Sequence, residues 1–301
     1  MSPADAAIAL SYDYCRRLTR RAASSFYPCF FLLPAEKRRA MDVLYAFLRV
    51  ADDLADSPAP AETRRDLLTG LRSDLTAAMK TQTAGGMSGA SEAARLLPAL
   101  ADVVARYHIP AEHLMAVIDG VEMDVAARRY ETFDDLAEYC HRVASVVGLV
   151  CIHIWGFRGP EAIETARRCG LAFQLTNILR DLKEDAATGR IYLPLADLRA
   201  CGYPVEDLAR GVANDGFHRL MALEVDRARR LYHEGAELIE WLAPDGRRIF
   251  GMMMSVYHRL LDEIARRPAD VFTRRVRLGP LQKAIAAARW VLLPPRRSGL
   301  P

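Results

Sequence analysis

The sequence predicts an all-α protein. Apolar residues recur at intervals of three and four along almost every segment, while patterns that alternate every second residue are scarce. Breaks such as SPAPAE and ATGRIYLP separate segments of helical length. With 301 residues, 51% hydrophobic and 26% charged, the chain can bury a large core, and its composition does not demand two domains.

Taken in order, residues 4–19 read as a first helix, and SSFYPCFFLLP is an apolar connection ended by Pro34. A long helix is expected over 35–56, closed by SPAPAE. Leu67, Leu68, Leu71 and Leu75 give 62–80 an amphipathic stripe. The small, Gly-rich and uncharged stretch 81–90 reads as a loop inside one helical domain. Further helices are expected at 91–107, 110–128, 133–155 and 160–185, then at 205–211, 214–241, 244–267 and 280–291.

The totals exclude several function classes. Net charge is 41 − 38 = +3 with both signs spread along the chain, which argues against a nucleic-acid binder. The six cysteines form no C-x-x-C pair and read as reduced thiols of a cytoplasmic protein. The N-terminus lacks a signal pattern, and the apolar runs near 26–34 and 143–155 fall short of the ~20 residues of a membrane span. No G-x-G-x-x-G or Walker pattern signals a nucleotide fold. Glu138 and His141 form a single E-x-x-H, whereas a di-iron bundle needs two.

The chemistry concentrates in two acidic stretches. In QLTNILRDLKEDAATGRIYLP, residues 174–194, Asn177, Asp181 and Asp185 stand four apart and so share one helix stripe. In YAFLRVADDLAD, residues 45–56, Asp52 and Asp56 repeat that relation beside Asp53. A single such pair usually means a solvated helix face. Two, each following an apolar run, suggest two walls facing one cavity with hard cations between them. A third pair, Asp119 and Asp124, is spaced by five and shares no stripe. Capping, or salt bridges to Arg128 or Arg129, fits it at least as well as a metal role.

The pair DDLAD and NILRDLKED, followed by GRIYLP, resembles the squalene/phytoene synthase family of head-to-head prenyl transferases. The resemblance runs from SSFYPCFFLLPAEKRRAMDVLYAFLRVADD through YCHRVASVVGL to YHRLLDEIARRPADVFTRRVRL. It implies a single isoprenoid-synthase-type helical bundle over residues 1–301 with a central cavity. It also implies Mg²⁺, with Mn²⁺ as a substitute, held by Asp52, Asp53, Asp56, Asn177, Asp181 and Asp185. In that chemistry the metal neutralises the departing diphosphate, and an apolar tunnel shields the allylic cation from water. Catalysis would rest on Asp52, Asp56, Asp181, Asp185, Tyr192 and Tyr257. Substrate contacts would come from Ser25, Tyr45, Arg49, Gln174, Asn177, Arg190 and Arg275, with Ala144 and Gly148 leaving room for an isoprenoid tail. TRRV leaves Arg274 as the alternative to Arg275, and Ala23 stands where the family commonly has a second hydroxyl, with Ser24 beside it.

Within the family, SSFY, YCHRVASVVGL and RRVRL look most like bacterial presqualene diphosphate synthases of the hopanoid pathway. That implies farnesyl diphosphate as donor and acceptor, presqualene diphosphate as product, and no NADPH. The alternative is a phytoene, dehydrosqualene or squalene synthase that completes a second ionisation. A non-catalytic scaffold relative would be expected to lose acidic residues, and both motifs are intact. The basic C-terminal stretch, with Leu281, Ile285, Trp290 and Leu292, fits peripheral contact with an anionic membrane, and equally a docked helix with a solvated basic end.

Overall fold

The computed structural model describes residues 3–22, 27–81, 92–293 and 295–300. Among these there is no strand, only isolated bridges pairing Arg129 with Ile191 and Phe157 with Leu242. No helix among them is long and apolar enough to cross a membrane. The chain divides into two compact units, Met1–Ala126 with Val150–Gly156, and Ala127–Leu149 with Phe157–Pro301.

The first unit holds α1 (Pro3–Ala22), α2 (Ala35–Ala55), α3 (Ala61–Thr81), α4 (Glu92–Arg106) and α5 (Ala111–Val125), with a 3₁₀ turn at Tyr27–Leu32. Helix α2 packs on each of the other four. Its buried stripe of Val43, Leu44, Phe47, Val50 and Ala51 leaves Asp52, Asp53 and Asp56 on the exposed side. Pro98 lies inside α4, where its ring disturbs the helical ladder. Ser11 of α1 repairs the damage. Its buried hydroxyl donates to the Arg95 carbonyl at 2.6 Å and accepts from the Ala99 amide at 3.0 Å, bridging the gap in the ladder. The predicted loop at 81–90 lies, Thr81 apart, outside the described residues.

The second unit holds α6 (Phe133–Cys140), a π-helical turn at His141–Ser145 and the first residues of α7 (Val146–Trp155), then α8 (Glu161–Arg180) and α9 (Leu182–Ala187). There follow α10 (Leu195–Ala200), α11 (Val205–Arg210), α12 (Asp215–Gly235), α13 (Leu238–Trp241), α14 (Pro244–Arg266), α15 (Asp270–Thr273) and α16 (Pro280–Leu292). Helix α8 is central and packs on α6, the π turn, α9, α12, α13 and α14. All six cysteines of the protein are buried free thiols.

Three expected helices are interrupted. Residues 133–155 are not one helix, because the π turn widens the ladder at 141–145. The turn presses on α8 at Gly170, where a Cβ would stand 2.4 Å from Ser145 Cα, and Ser145 Oγ donates to the Arg167 carbonyl at 2.8 Å. Residues 160–185 divide at Asp181, whose ψ of 15° belongs to neither α8 nor α9. Residues 214–241 divide after Gly235. The short α10 and α15 carry too few residues to show a period and were not expected from the sequence.

A buried charge network fastens α10 to α12. Arg227 bridges Asp197 and Glu224, at 2.8 Å to each, and its guanidinium lies 4.2 Å from the centre of the Phe133 ring. Burial raises the Glu224 carboxyl to about 7 against the pull of Arg227, and one of its oxygens, Oε2, has no hydrogen-bond partner. The folded state therefore holds a proton there that the unfolded chain releases above its ordinary value of 4.5. The stabilisation from this proton is fully present below pH 4.5 and is lost as pH rises through about 7. Glu224→Gln, which stays neutral, is expected to flatten this dependence. In thermal melts the variant gains on the wild type as pH rises through that window, and an unchanged gap would exclude the protonated carboxyl.

Candidate active site

The first acidic motif lies at a helix C-terminus, and the second straddles the end of α8 and the first turn of α9. Asp52 and Asp53 occupy the last turn of α2 and Asp56 caps it, with no basic residue in that turn. Asp181 caps α8. A helix C-terminus carries the negative end of the macrodipole and favours cations, so carboxylates there are electrostatically misplaced unless positive charge is supplied.

In the first unit, the Asp56 amide donates to the Asp52 carbonyl at 2.8 Å, so the expected one-turn relation of these two residues is present. The Asp52 carboxyl is raised to about 7, first by loss of hydration, then by Asp56, with Asp124 and Asp53 adding repulsion against Arg49. The side chain is still open to water. A group that water touches but protein crowds on most sides loses long-range hydration while remaining able to take a ligand. Arg49 donates to both oxygens of Asp53, Nε to Oδ2 at 3.0 Å, so Asp53 is ion-paired within its own helix. Half-buried Tyr45 lies one turn before Arg49 on α2 and acts electrostatically on it.

The sequence leaves a metal role open for Asp119 and Asp124, and of the two it is Asp124 of α5 that acts on this cluster. Asp119 and Asp124 do not behave as a pair. Arg72, rather than Arg128 or Arg129, bridges Asp119 at 2.7 Å and Glu122 at 3.2 Å, while Asp124 acts on Asp52. The helical period gives the faces of α5 but not which of them meets α2.

In the second unit, the expected stripe survives the helix break. The Asp181 amide donates to the Asn177 carbonyl at 3.0 Å and the Asp185 amide to the Asp181 carbonyl at 2.9 Å. The chain then folds back, so that the Arg190 amide donates to the Asp185 carbonyl at 2.9 Å. Asn177 Nδ2 donates to Gln174 Oε1 at 3.3 Å, while Asn177 Oδ1 is buried with no hydrogen-bond partner.

Asp181 is held by two arginines. Arg275 donates to both its oxygens at 3.0 Å, and Arg180 donates Nε to Oδ1 at 2.7 Å. Arg274 instead pairs with Asp270 at 2.6 Å, so of the two arginines in TRRV it is Arg275 that reaches the acidic motif. Arg180 was missed because, on a continuous helix, it would point a quarter-turn away from Asp181. Tyr257 of α14 is buried and its hydroxyl engages Arg180 and Asn177. Burial pushes the phenol up to about 12, so it is neutral near pH 7.

Tyr192 is buried in an aromatic stack with Tyr139, at 5.0 Å between ring centres, and Tyr130, at 6.2 Å. Phe173 lies 4.9 Å from Tyr257 and 5.8 Å from Tyr232, whose hydroxyl is 2.8 Å from Thr176 Oγ1. These rings sit on separate elements, α6, α8, α12 and α14, and no local motif links them. Gly148 packs on α8, a Cβ there standing 3.4 Å from the Ala166 carbonyl, and the carbonyl of Ala144 comes against Gly170. Ser25, with Ala23 and Ser24, lies outside the described residues.

The donor set can be tested for fit to a divalent cation. Among the described residues no three His, Cys, Asp or Glu side chains are grouped closely enough to hold a metal ion by themselves. Mg²⁺ does not require such a cage, because it keeps several waters and binds through one or two carboxylates plus phosphate oxygens. In the first unit the crowded Asp52, Asp56 and Asp124 carboxylates, and separately in the second unit the orphaned Asn177 oxygen, are hard donors of that kind.

Comparison with known proteins agrees with these motifs. The family model described as squalene/phytoene synthase matches residues 19–282. A phytoene synthase of Arthrospira platensis is 35% identical over 278 residues, 88% of this chain and 87% of that protein. A 15-cis-phytoene synthase of Synechococcus elongatus is 34% identical over 91% of this chain and 90% of its own. Among solved structures, a squalene synthase from Alicyclobacillus acidocaldarius superposes with a TM-score of 0.78 at 30% identity, covering 87% of this chain and 95% of that one. A dehydrosqualene synthase in complex with ligand superposes with a TM-score of 0.81 at 26% identity, covering 94% and 96%. With acidic motifs, helical architecture and relatives in agreement along nearly its whole length, this chain belongs to the squalene/phytoene synthase family.

Proposed function

We propose that the protein is a phytoene-type synthase, a single isoprenoid synthase domain over residues 1–301 that joins two C20 prenyl diphosphates head to head and expels both diphosphates. The observation that carries this reading is the run of phytoene synthases about 35% identical over some nine-tenths of the chain. It displaces the presqualene diphosphate expectation drawn from SSFY, ASVVG and RRVRL. Presqualene formation from two farnesyl diphosphates remains the second reading, favoured by the 30% identity to a squalene synthase of known structure.

Mg²⁺, or Mn²⁺ in its place, would be held by Asp52, Asp53 and Asp56 and by Asn177, Asp181 and Asp185. When bound, it supplies the positive charge that a departing diphosphate needs. Arg49, Arg180, Arg190 and Arg275 bind diphosphate oxygens, and Tyr45, Gln174 and Ser25 complete the substrate contacts. The donor C1–O bond breaks and its electron pair leaves with diphosphate. The acceptor C2–C3 double bond then attacks the allylic cation. Loss of a proton closes a cyclopropane that still carries the second diphosphate. Leaving of that group, rearrangement and a second proton loss give phytoene, with no reductant and no NADPH.

The rings of Tyr192, Tyr139 and Tyr130, and of Phe173 and Tyr257, turn their negative faces to developing cations and exclude water. Tyr257, a neutral phenol held by Arg180 and Asn177, is favoured by its raised phenol as a positioning group, and the released diphosphate is the proton acceptor of this reading. Ala144 and Gly148 leave space for the isoprenoid chains. The buried thiols suit a cytoplasmic protein.

Asp52→Ala, Asp56→Ala, Asp181→Ala and Asp185→Ala are each expected to cut turnover by roughly a hundredfold or more. Circular dichroism should show the helices intact in the Asp52 and Asp56 variants, because removing either relieves like-charge repulsion, whereas Asp181→Ala also costs stability by leaving Arg180 and Arg275 unpaired. A near wild-type rate at saturating Mg²⁺ for any of them would remove that residue from the cluster.

Chelation with EDTA is expected to stop turnover without loss of helical signal, since a hard cation here serves the substrate rather than the fold. Collapse of the helices would point to a structural metal. Incubation with geranylgeranyl or farnesyl diphosphate, with and without NADPH, then decides the product. Phytoene with two diphosphates released per product supports the reading. A C30 diphosphate with one released establishes the presqualene alternative, and an NADPH-dependent rise in squalene overturns both.

A further inference from the structure

Helix α16 presents an apolar stripe that no described residue covers. Five of the nine exposed large apolar side chains among the described residues lie within 281–293, namely Leu281, Ile285, Val291, Leu292 and Leu293. Leu281 and Leu292 are 72% and 76% exposed, values of free side chains rather than of a loosely packed edge. Leu281, Ile285, Ala288 and Leu292 recur every three or four residues and so share one stripe of α16.

A second stripe, Gln282, Ala286 and Trp290, fixes this helix to α14. The Trp290 ring fills the space over Gly251, where a Cβ would stand 2.3 Å from it, and its indole N–H donates to Ser255 Oγ at 2.8 Å. Gln282 donates to Glu263 at 2.7 Å, and Arg248 donates to the Trp290 and Val291 carbonyls at 2.6 and 3.0 Å. Trp290, expected from the sequence to belong to the membrane-facing set, is thus an anchor into the fold. Held this way, α16 cannot roll its leucines inward.

Charge says what kind of surface covers them. From residue 271 to 301 there are seven Arg and Lys and no Asp or Glu. Arg274, Arg275 and Arg297 pair with Asp270, Asp181 and Glu237. Arg277, Lys283 and Arg296 are exposed and have no ion-pair partner among the described residues. Glu263 and Asp270 lie near Arg277, and Glu263 accepts from Gln282 on the face turned to α14. The segment that carries the stripe, by contrast, has cations and no acid of its own, which matches an anionic lipid surface. A second copy of the chain would bring the same cations against these.

We propose that α16 and the residues after it seat the protein on an anionic phospholipid bilayer. Leu281, Ile285, Leu292 and Leu293 enter the acyl boundary, and Arg277, Lys283 and Arg296 meet lipid phosphates. The proposal goes beyond the prenyl transfer and does not depend on which product is made.

Co-sedimentation of the full chain with vesicles tests it, using phosphatidylcholine alone and phosphatidylcholine mixed with phosphatidylglycerol. Binding is expected to the mixed vesicles, to weaken with added salt, and to fall by roughly tenfold or more in L281E/I285E. Circular dichroism of that variant should be unchanged, since both side chains are exposed. As a gain-of-signal check, Leu281→Trp should show blue-shifted emission on mixed vesicles only. Failure of the wild type to bind mixed vesicles, equal binding by L281E/I285E, or no emission shift would overturn the proposal. So would self-association without vesicles that L281E/I285E abolishes, which would assign the stripe to a second copy.

Discussion

Carboxylates crowded where helices end or break are the constraint on which the rest of this structure turns. Helix α2 buries a continuous apolar stripe and then ends in three aspartates with no basic residue in its last turn. The macrodipole, the lost hydration of Asp52 and the repulsion from Asp56, Asp124 and Asp53 all oppose ionisation there. Such a site is poor for stability and good for attracting cations. Arg49 pairs with Asp53, leaving Asp52 and Asp56 as the crowded pair.

The second unit places its carboxylate between the end of one helix and the start of the next. Asp181 stands at the break between α8 and α9 and takes two guanidiniums, one from its neighbour Arg180 and one from the distant Arg275. Arg180 reaches onward to Tyr257, which also engages Asn177. One carboxylate therefore ties together α8, α14 and the segment before α16. Arginine suits this role because its planar fork binds both carboxylate oxygens and would meet diphosphate oxygens in the same way.

Beneath these charges, α8 is packed on close backbone approaches. The π turn at 141–145 comes within reach of α8 only because position 170 has no Cβ. Gly148 and the backbone carbonyl of Ala144 take part in this packing against α8.

The sequence alone determined the all-α architecture, because helical periodicity is local and survives in nearly every segment. It also determined the two acidic stripes, because i, i+4 spacing fixes neighbours along one helix without knowledge of any other element. The backbone bonds from Asp181 to Asn177 and from Asp185 to Asp181 preserve that relation even across the helix break. Tertiary structure decided what spacing cannot encode. It brought Asp124 of α5 to Asp52, Arg275 rather than Arg274 to Asp181, and Tyr130 and Tyr139 to Tyr192. It turned Trp290 inward against Gly251 and left Leu281 and Leu292 outside. A helical period fixes which residues share a face. Which face meets which neighbour is set by packing between elements far apart in the chain, and that appears only when they fold together.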